Sequence, residues 1–286
     1  MTWGQIRLQA QKWATAVDLD VLDQAIQARY STILDRMPWK ALDKAATIQT
    51  VGVYATGTVA VTAGSASIVG TGTNWVTGQT GMSVRFGLDA QSYVFSWLTG
   101  TTGTLDRPYE GTNAAASAYY LFQSVYPLPA DLKILLEVNN IRGNFPLRPY
   151  TQSDLNMLYP SRPAFGEPFI YSMAADNSAT PPLHQVELYL IPQFAAGYSI
   201  RYTQNPPMFD PTVTTASPLP WIPQQVLVNG VRSDVLAFAK DYEGMKAFEG
   251  MFQDGLEEMV RVELHRQSNA RTSEAARYDN PTGGKG

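Results

Sequence analysis

Glycine and proline are spread so unevenly along this chain that they divide it before any periodicity is sought. Residues 1–50 hold one glycine and one proline, residues 51–125 hold 11 of the 22 glycines, and residues 126–220 hold 15 of the 19 prolines. Glycine weakens a helix interior and proline breaks it, so long helices are confined to the two ends of the sequence. The middle is left to strands, turns and stiff loops.

The first zone carries helix signals. Thr2 and Gln5 stand at capping-box spacing, and Ile6, Ala10, Trp13, Ala14 and Val17 follow at helical intervals. Asp18 and Asp20 suit a break and a fresh helix start, after which Leu19, Leu22, Ile26, Tyr30, Ile33 and Met37 form one apolar stripe. Pro38 is placed to open a short third helix through "PWKALDKA", with Trp39 and Leu42 turned inward.

The helical pattern returns at Pro223. Val226, Leu227, Val231, Val235, Phe238 and Tyr242 give a broad apolar face. Asp241 is a good N-cap and Gly244 a poor interior residue, so a second helix is expected from there to about His265, burying Met245, Phe248, Phe252, Leu256 and Met259. The two form an αα-hairpin. Residues 268–286 are polar, rich in small residues and glycine-terminated, as expected of an extended tail that orders only against a partner.

Between these ends, residues 51–125 contain 12 threonines and five charged residues, and the run "GTVAVTAGSASIVGTGTNWVTGQTGMSVRFG" at 57–87 has no charge before Arg85. Val59 and Val61, then Met82, Val84 and Phe86, alternate with small or polar residues, and "SYVFSWL", "GTLDRPYEG" and "SAYYLFQSV" supply further strands. This zone reads as a compact all-β module. In residues 126–220, "LKILLEV" reads as a strand and "HQVELYLI" with "YSIRYTQ" as a hairpin around "PQFAAG".

Short helices are marginal alone in water, so the two ends are expected to pack stripe on stripe, with the β zones as excursions from their bundle. The fold class expected is α+β: a helical bundle formed from N- and C-terminal helices, with an inserted small all-β module and an additional β layer. The corresponding segments are 1–50, 51–125, 126–220, 221–267 and the tail 268–286.

Site chemistry is sparse. There are no cysteines and only two histidines, His184 and His265, neither at metal-ligand spacing, so each reads as a surface or hydrogen-bonded residue. No nucleophile elbow, Walker loop or dinucleotide fingerprint occurs, and "GTGTNW" at 70–75 reads as a turn cluster rather than a phosphate cradle. Carboxylate pairs such as Asp18/Asp20 and Glu257/Glu258 fit helix starts and solvated faces. No catalytic, cofactor-binding or metal residue is named, and a non-enzymatic chain is expected. Trp75, Tyr93, Trp97, Tyr109, Tyr119 and Tyr120 read first as the core of the β module, with a sugar-stacking platform as the alternative. A net charge of −4 argues against a general nucleic-acid binder. Arg7 and Lys12 interrupt any leader-like apolar run, and a soluble, unexported chain without a membrane anchor is expected.

The succession of these elements resembles the head-to-tail adaptor (connector) proteins of tailed bacteriophages. It is carried by "AIQARYSTILDRMPWKALDKAATIQT", the Gly/Thr run, "YPLPADLKILLEV", "VELYLIPQF…YSIRYTQNPP" and "PWIPQQVLVNGVRSDVLAFAKDYEGMKAFEGMFQDGL", which together span nearly the entire chain. The resemblance implies a homo-oligomeric ring, a dodecamer, assembled in the host cytoplasm and placed in the virion between the portal protein and the tail or nozzle. DNA is then only passing cargo and no cofactor is required. It also implies a C-terminal segment that docks on the portal, with Arg271, Arg277 and Tyr278 as its anchors. Two rival readings are a carbohydrate-binding or tail-fibre module using the β-module aromatics, and an enzyme built on buried carboxylates with His184.

Overall fold

The structure is a computed structural model that describes residues 2–12, 17–87, 91–160, 162, 164–176, 183–213 and 216–278, with backbone alone at 176 and 269–278. Trp13 and Ala14, two members of the first expected stripe, lie outside the described residues. The chain separates into two compact units, Met1–Asp43 with Gln204–Gly286, and Lys44–Thr203. Five helices are described: α1 (Trp3–Gln11), α2 (Leu19–Asp35), α3 (Gln152–Leu158), α4 (Gln224–Phe238) and α5 (Tyr242–Tyr278).

The first unit is helical and draws its core from both ends of the chain. Thr2 and Gln5 close a capping box at the start of α1, satisfying backbone donors that the helix leaves free. Trp3, Ile6, Leu22, Ile26, Tyr30 and Ile33 then pack with Leu227, Val231, Val235, Phe252 and Leu256 in one cluster. Trp3 meets Tyr30 edge-on at 5.1 Å and Phe209 at 5.0 Å. Burying each such side chain contributes about 1.5–3 kcal/mol, a stabilisation that short helices lack on their own.

One arginine joins three of these helices. Arg29 on α2 forks onto Asp234 of α4, with Nε 2.7 Å from Oδ2, and its Nη1 donates to Glu249 Oε1 of α5 at 3.1 Å. Its guanidinium also lies 4.8 Å from the Phe252 ring centroid. The close approach is possible because position 230 on α4 is glycine; a Cβ there would stand 2.8 Å from the Phe252 ring and 3.0 Å from Arg29 Cδ. The turn between α4 and α5 is set by Lys240, at φ 63°, and by Asp241, whose Oδ1 accepts from the Gly244 N–H at 3.0 Å.

The second unit is β throughout, apart from α3 and short helical turns. Its first eight strands are β1 (Asp43–Gln49), β2 (Thr58–Val61), β3 (Ser67–Thr71), β4 (Ser83–Phe86), β5 (Tyr93–Trp97), β6 (Thr102–Leu105), β7 (Ala114–Ser117) and β8 (Tyr119–Phe122). Seven of them form one sheet in the order β7-β2-β3-β6-β5-β4-β8. Its two edges, β7 and β8, are consecutive in the chain, and Tyr54 pairs with Leu121 of β8 through both backbone bonds, at 2.9 and 2.8 Å. The sheet therefore curls toward a barrel, which protects edges that would otherwise invite foreign strands. Inside sit Val59, Val61, Ile68, Trp75, Val84, Phe86, Phe95 and Leu121, the inward half of the alternation.

Gly57 turns the chain between the Tyr54 bridge and β2. Its φ is +83° and a Cβ would lie 2.5 Å from the Thr71 carbonyl oxygen, a backbone atom held in the β3 pairing. Gly57→Ala is expected to lower the urea-unfolding free energy by about 2–3 kcal/mol. Gly64→Ala, at φ +79° but facing open space, is expected to cost only about 1 kcal/mol.

The remaining strands are β9 (Val125–Pro127), β10 (Leu132–Asn140), β11 (Phe145–Pro146), β12 (Arg148–Tyr150), β13 (Phe165–Gly166), β14 (Ile170–Asp176), β15 (Leu183–Tyr189), β16 (Ile191–Pro192) and β17 (Gly197–Gln204). They complete two four-stranded sheets, β1-β17-β10-β11 and β12-β14-β15-β9, and a small β13-β16 pair. Ile48, Val138, Tyr198 and Ile200 from one sheet share a core with Tyr126, Tyr171, Val186 and Leu188 from the other. The proline-rich zone is thus a sandwich with a core of its own.

The fold expected from the sequence is overturned. The protein is not a helical bundle with a small β insert: seventeen strands and five helices are described, and a near-barrel and a sandwich make the larger unit. Long amphipathic stripes are easy to see, whereas short strands paired far apart in sequence leave only weak local traces. Two local expectations also fail. "PWKALDKA" yields a single helical turn, Lys40–Leu42, and then β1, because the β-branched Thr47 and Ile48 enter a sheet instead. β15 and β17 do not form a hairpin; they belong to different sheets, and the buried pair Ile191–Pro192 carries the chain from one to the other.

Candidate interaction interface of the helical unit

The sequence-named residues fall into three groups. In the β module, Trp75, Tyr93, Tyr109 and Tyr119 are buried, with Trp75 2 % and Tyr119 1 % exposed. Trp75 Nε1 donates to Tyr119 Oη at 3.0 Å, and Tyr119 Oη donates to the Thr56 carbonyl at 2.7 Å. Burial pushes the Tyr119 hydroxyl well above its ordinary pKa, and the Trp75 hydrogen bond opposes it. Trp97 is half-buried with its Nε1 donating to the Trp75 carbonyl at 3.1 Å, and Tyr120 packs on Phe165 at 5.3 Å. These rings line a core; they do not form a flat stacking platform.

The titratable candidates do not gather. His184 and His265 are both exposed, and among the described residues no group of three or more His, Cys, Asp or Glu stands together as metal ligands would. The buried carboxylates have structural partners. Glu187 accepts from Gln152 Nε2 at 2.7 Å and pairs with Arg162 at 2.6 Å. Glu263 accepts the Lys40 backbone N–H at 2.9 Å. The third group, Arg271, Arg277 and Tyr278, occupies the last turns of α5, which continues to Tyr278 where the sequence suggested an end near His265. Their side chains lie outside the described residues.

What the sequence did not reveal is a cleft in the helical unit. The segment after α2 is held back on α2 by one contact and against α5 by two: Trp39 Nε1 donates to the Ile33 carbonyl at 2.8 Å, the Lys40 N–H donates to Glu263, and Gln267 Nε2 donates to the Pro38 carbonyl at 3.2 Å. Trp39 lies 5.0 Å from Trp221 between ring centroids. These two indoles, with Val226, Met259 and Val262, line a cleft of about 350 Å³ that also touches the buried Glu263 and the exposed Glu258 and Arg266. Its apolar wall stays open to solvent at Val262, which is 41 % exposed.

A second apolar feature marks the same unit. Phe238 closes α4 and Tyr242 opens α5, and they are 59 % and 60 % exposed. The stripe reading had placed both on the buried face; instead both are exposed, one on each side of the left-handed turn at Lys240. A concave site with aromatic walls and a projecting aromatic corner are means of binding another macromolecule by burial.

Among the described residues no helix is long and apolar enough to cross a membrane. No protein-family model matches this chain, and no curated protein matches it.

Proposed function

We propose that the chain is a structural subunit of a tailed-phage head-to-tail junction, joining copies of itself into a ring between portal and tail through which DNA passes. The observation that carries this reading is the shared core of the helical unit, in which Arg29 reaches Asp234 and Glu249 across more than two hundred residues of chain. Such a body holds its shape while offering surface to neighbours, and the sequence segments that build it are among those that carry the adaptor resemblance. The exposed cleft and corner supply apolar surface that burial in an assembly would use.

In this reading the ring is placed in the virion, is assembled in the bacterial cytoplasm, and uses the end of α5, with Arg271, Arg277 and Tyr278, to meet the portal. Native mass spectrometry of the purified full chain, alone and mixed with the portal ring of its phage, tests it. The expected result is a closed homo-oligomer that binds the portal. A chain that stays monomeric at all concentrations, with and without portal, removes the reading.

A further inference from the structure

We infer that the β unit carries a sugar-binding cleft of its own, with Phe194 as the stacking ring and Glu167, Arg142 and the Tyr198 hydroxyl as the groups that bind sugar hydroxyls. The inference goes beyond the ring reading and does not depend on it, since every residue of the cleft belongs to Lys44–Thr203.

The cleft measures about 300 Å³, at the small end of the range for small-molecule sites, and its lining includes Arg142, Glu167, Gln193, Phe194 and Tyr198. Phe194 is 63 % exposed, yet the loop that carries it is tied down on both sides. The Ala196 N–H donates to Thr50 Oγ1 at 2.9 Å, and the Thr50 N–H donates to the Ala196 carbonyl at 2.9 Å. One residue before Phe194, the Gln193 N–H donates to the Gly166 carbonyl at 3.1 Å, and the Gln193 carbonyl accepts the Val53 N–H at 3.2 Å. An exposed aromatic ring on a fixed loop loses little freedom when a ligand covers it.

The polar groups are also held in place. Buried Asn140 donates from Nδ2 to Glu167 Oε1 at 2.7 Å, and its own Oδ1 accepts the Gly143 N–H at 2.8 Å. Glu167 Oε2 accepts from no described residue, and Arg142 pairs with no described carboxylate, although both side chains line the one cleft. Tyr198 is 1 % exposed and still lines the cleft, with its hydroxyl bonded to no described residue. Burial and the Glu167 charge push that hydroxyl up to about 12, so it keeps its proton and can donate.

This set of groups selects the ligand class. One anion and one cation in the same cleft offset each other, which disfavours a ligand of net charge, and both are exposed, where ion pairing contributes little. Hydroxyls suit both, because each can donate to a carboxylate and accept from a guanidinium. A pyranose ring adds to its hydroxyls an apolar C–H face for Phe194 to cover. The site is separate from the Trp75 and Tyr119 rings, which are buried in the core of the near-barrel.

Saturation-transfer NMR on the full chain tests the assignment, with the methyl glycosides of glucose, galactose, mannose and N-acetylglucosamine as probes and glycine and inorganic phosphate as charged controls. At least one glycoside is expected to bind with a Kd of about 1 mM, and neither control. Phe194→Ala removes an exposed side chain and should weaken binding about tenfold. Tyr198→Phe, which keeps the buried ring, and Glu167→Gln should each weaken it severalfold with the native circular dichroism retained. Failure of all four glycosides to bind at about 10 mM overturns the inference. Binding that Phe194→Ala and Glu167→Gln leave unchanged overturns it as well, since the sugar then sits elsewhere. A cleft that takes glycine or phosphate and no glycoside also overturns it. None of these outcomes touches the ring reading, whose own test is self-association with and without portal.

Discussion

Replacing Arg29 with methionine is expected to lower the stability of the helical unit by about 3 kcal/mol, near the lower end for breaking a mostly buried ion pair. The guanidinium side chain is 16 % exposed, and Asp234 and Glu249 are 32 % and 33 % exposed, so water recovers part of the loss. Methionine keeps the volume but leaves two carboxylates facing each other without their shared cation, and the Phe252 contact is lost as well. The change should appear as a lower urea midpoint. A loss under 1 kcal/mol would show that the network behaves like an ordinary surface pair.

The same network has a pH signature. Burial pushes Glu249 up, but hydrogen bonds from Arg29 and Gln253, with the Arg29 charge, hold it below its ordinary 4.5. A carboxylate with a depressed folded pKa contributes stability that is present above its unfolded pKa and is lost as pH falls through the folded value. The native protein should therefore lose this contribution below about pH 4.5. In Arg29→Met the sign reverses: burial and Asp234 then favour the protonated acid, so the gap between the two proteins should narrow as pH drops through that range. A gap that stays constant from neutral pH to pH 3 would falsify the assignment.

The second large effect belongs to Trp75. Trp75→Ala is expected to cost about 4 kcal/mol, within the usual loss for removing a large buried aromatic. It deletes edge-on contacts with Phe95 at 5.1 Å and Tyr119 at 5.8 Å, and takes from Tyr119 Oη the indole donor. Trp75→Phe keeps most of the bulk and should cost about half as much. Loss of near-ultraviolet circular dichroism together with rapid proteolysis between residues 51 and 125 would mark the module as opened. Were the ring a sugar platform, the alanine variant would stay folded and lose glycan binding alone.

What the sequence disclosed depended on range. The Thr2–Gln5 capping box, the α2 stripe from Leu22 to Ile33 and the break at Asp241 are written in residues three or four apart, and each has its physical counterpart in the structure, whereas Leu19 is exposed and Met37 lies beyond the helix. The partners of Arg29 stand 205 and 220 residues away, and nothing in "QARYS" points to them. Strand pairing was hidden for the same reason, since β15 alternates in a way that suits a neighbour in either sheet. The weight of β structure was underestimated because a four-residue strand such as Thr58–Val61 states little until its partners are known. The Trp39–Trp221 cleft was invisible for a different cause: Trp39 was seen as an inward residue, but Trp221 lies in a proline-rich loop without period. Arg271, Arg277 and Tyr278 were named from the resemblance alone, and only their place on the α5 backbone is described.

A core assembled from both termini also sets a schedule during synthesis. The first two helices leave the ribosome long before α4 and α5 exist, a lag of roughly 10–40 s at typical elongation rates. In that interval Trp3, Ile26 and Tyr30 lack the side chains from Phe209 onward that complete their core, while the strands of 44–203 emerge in order and can close on one another. Only a chain translated past Leu256 can complete the body, so a prematurely terminated product leaves this core open and exposed to proteolysis.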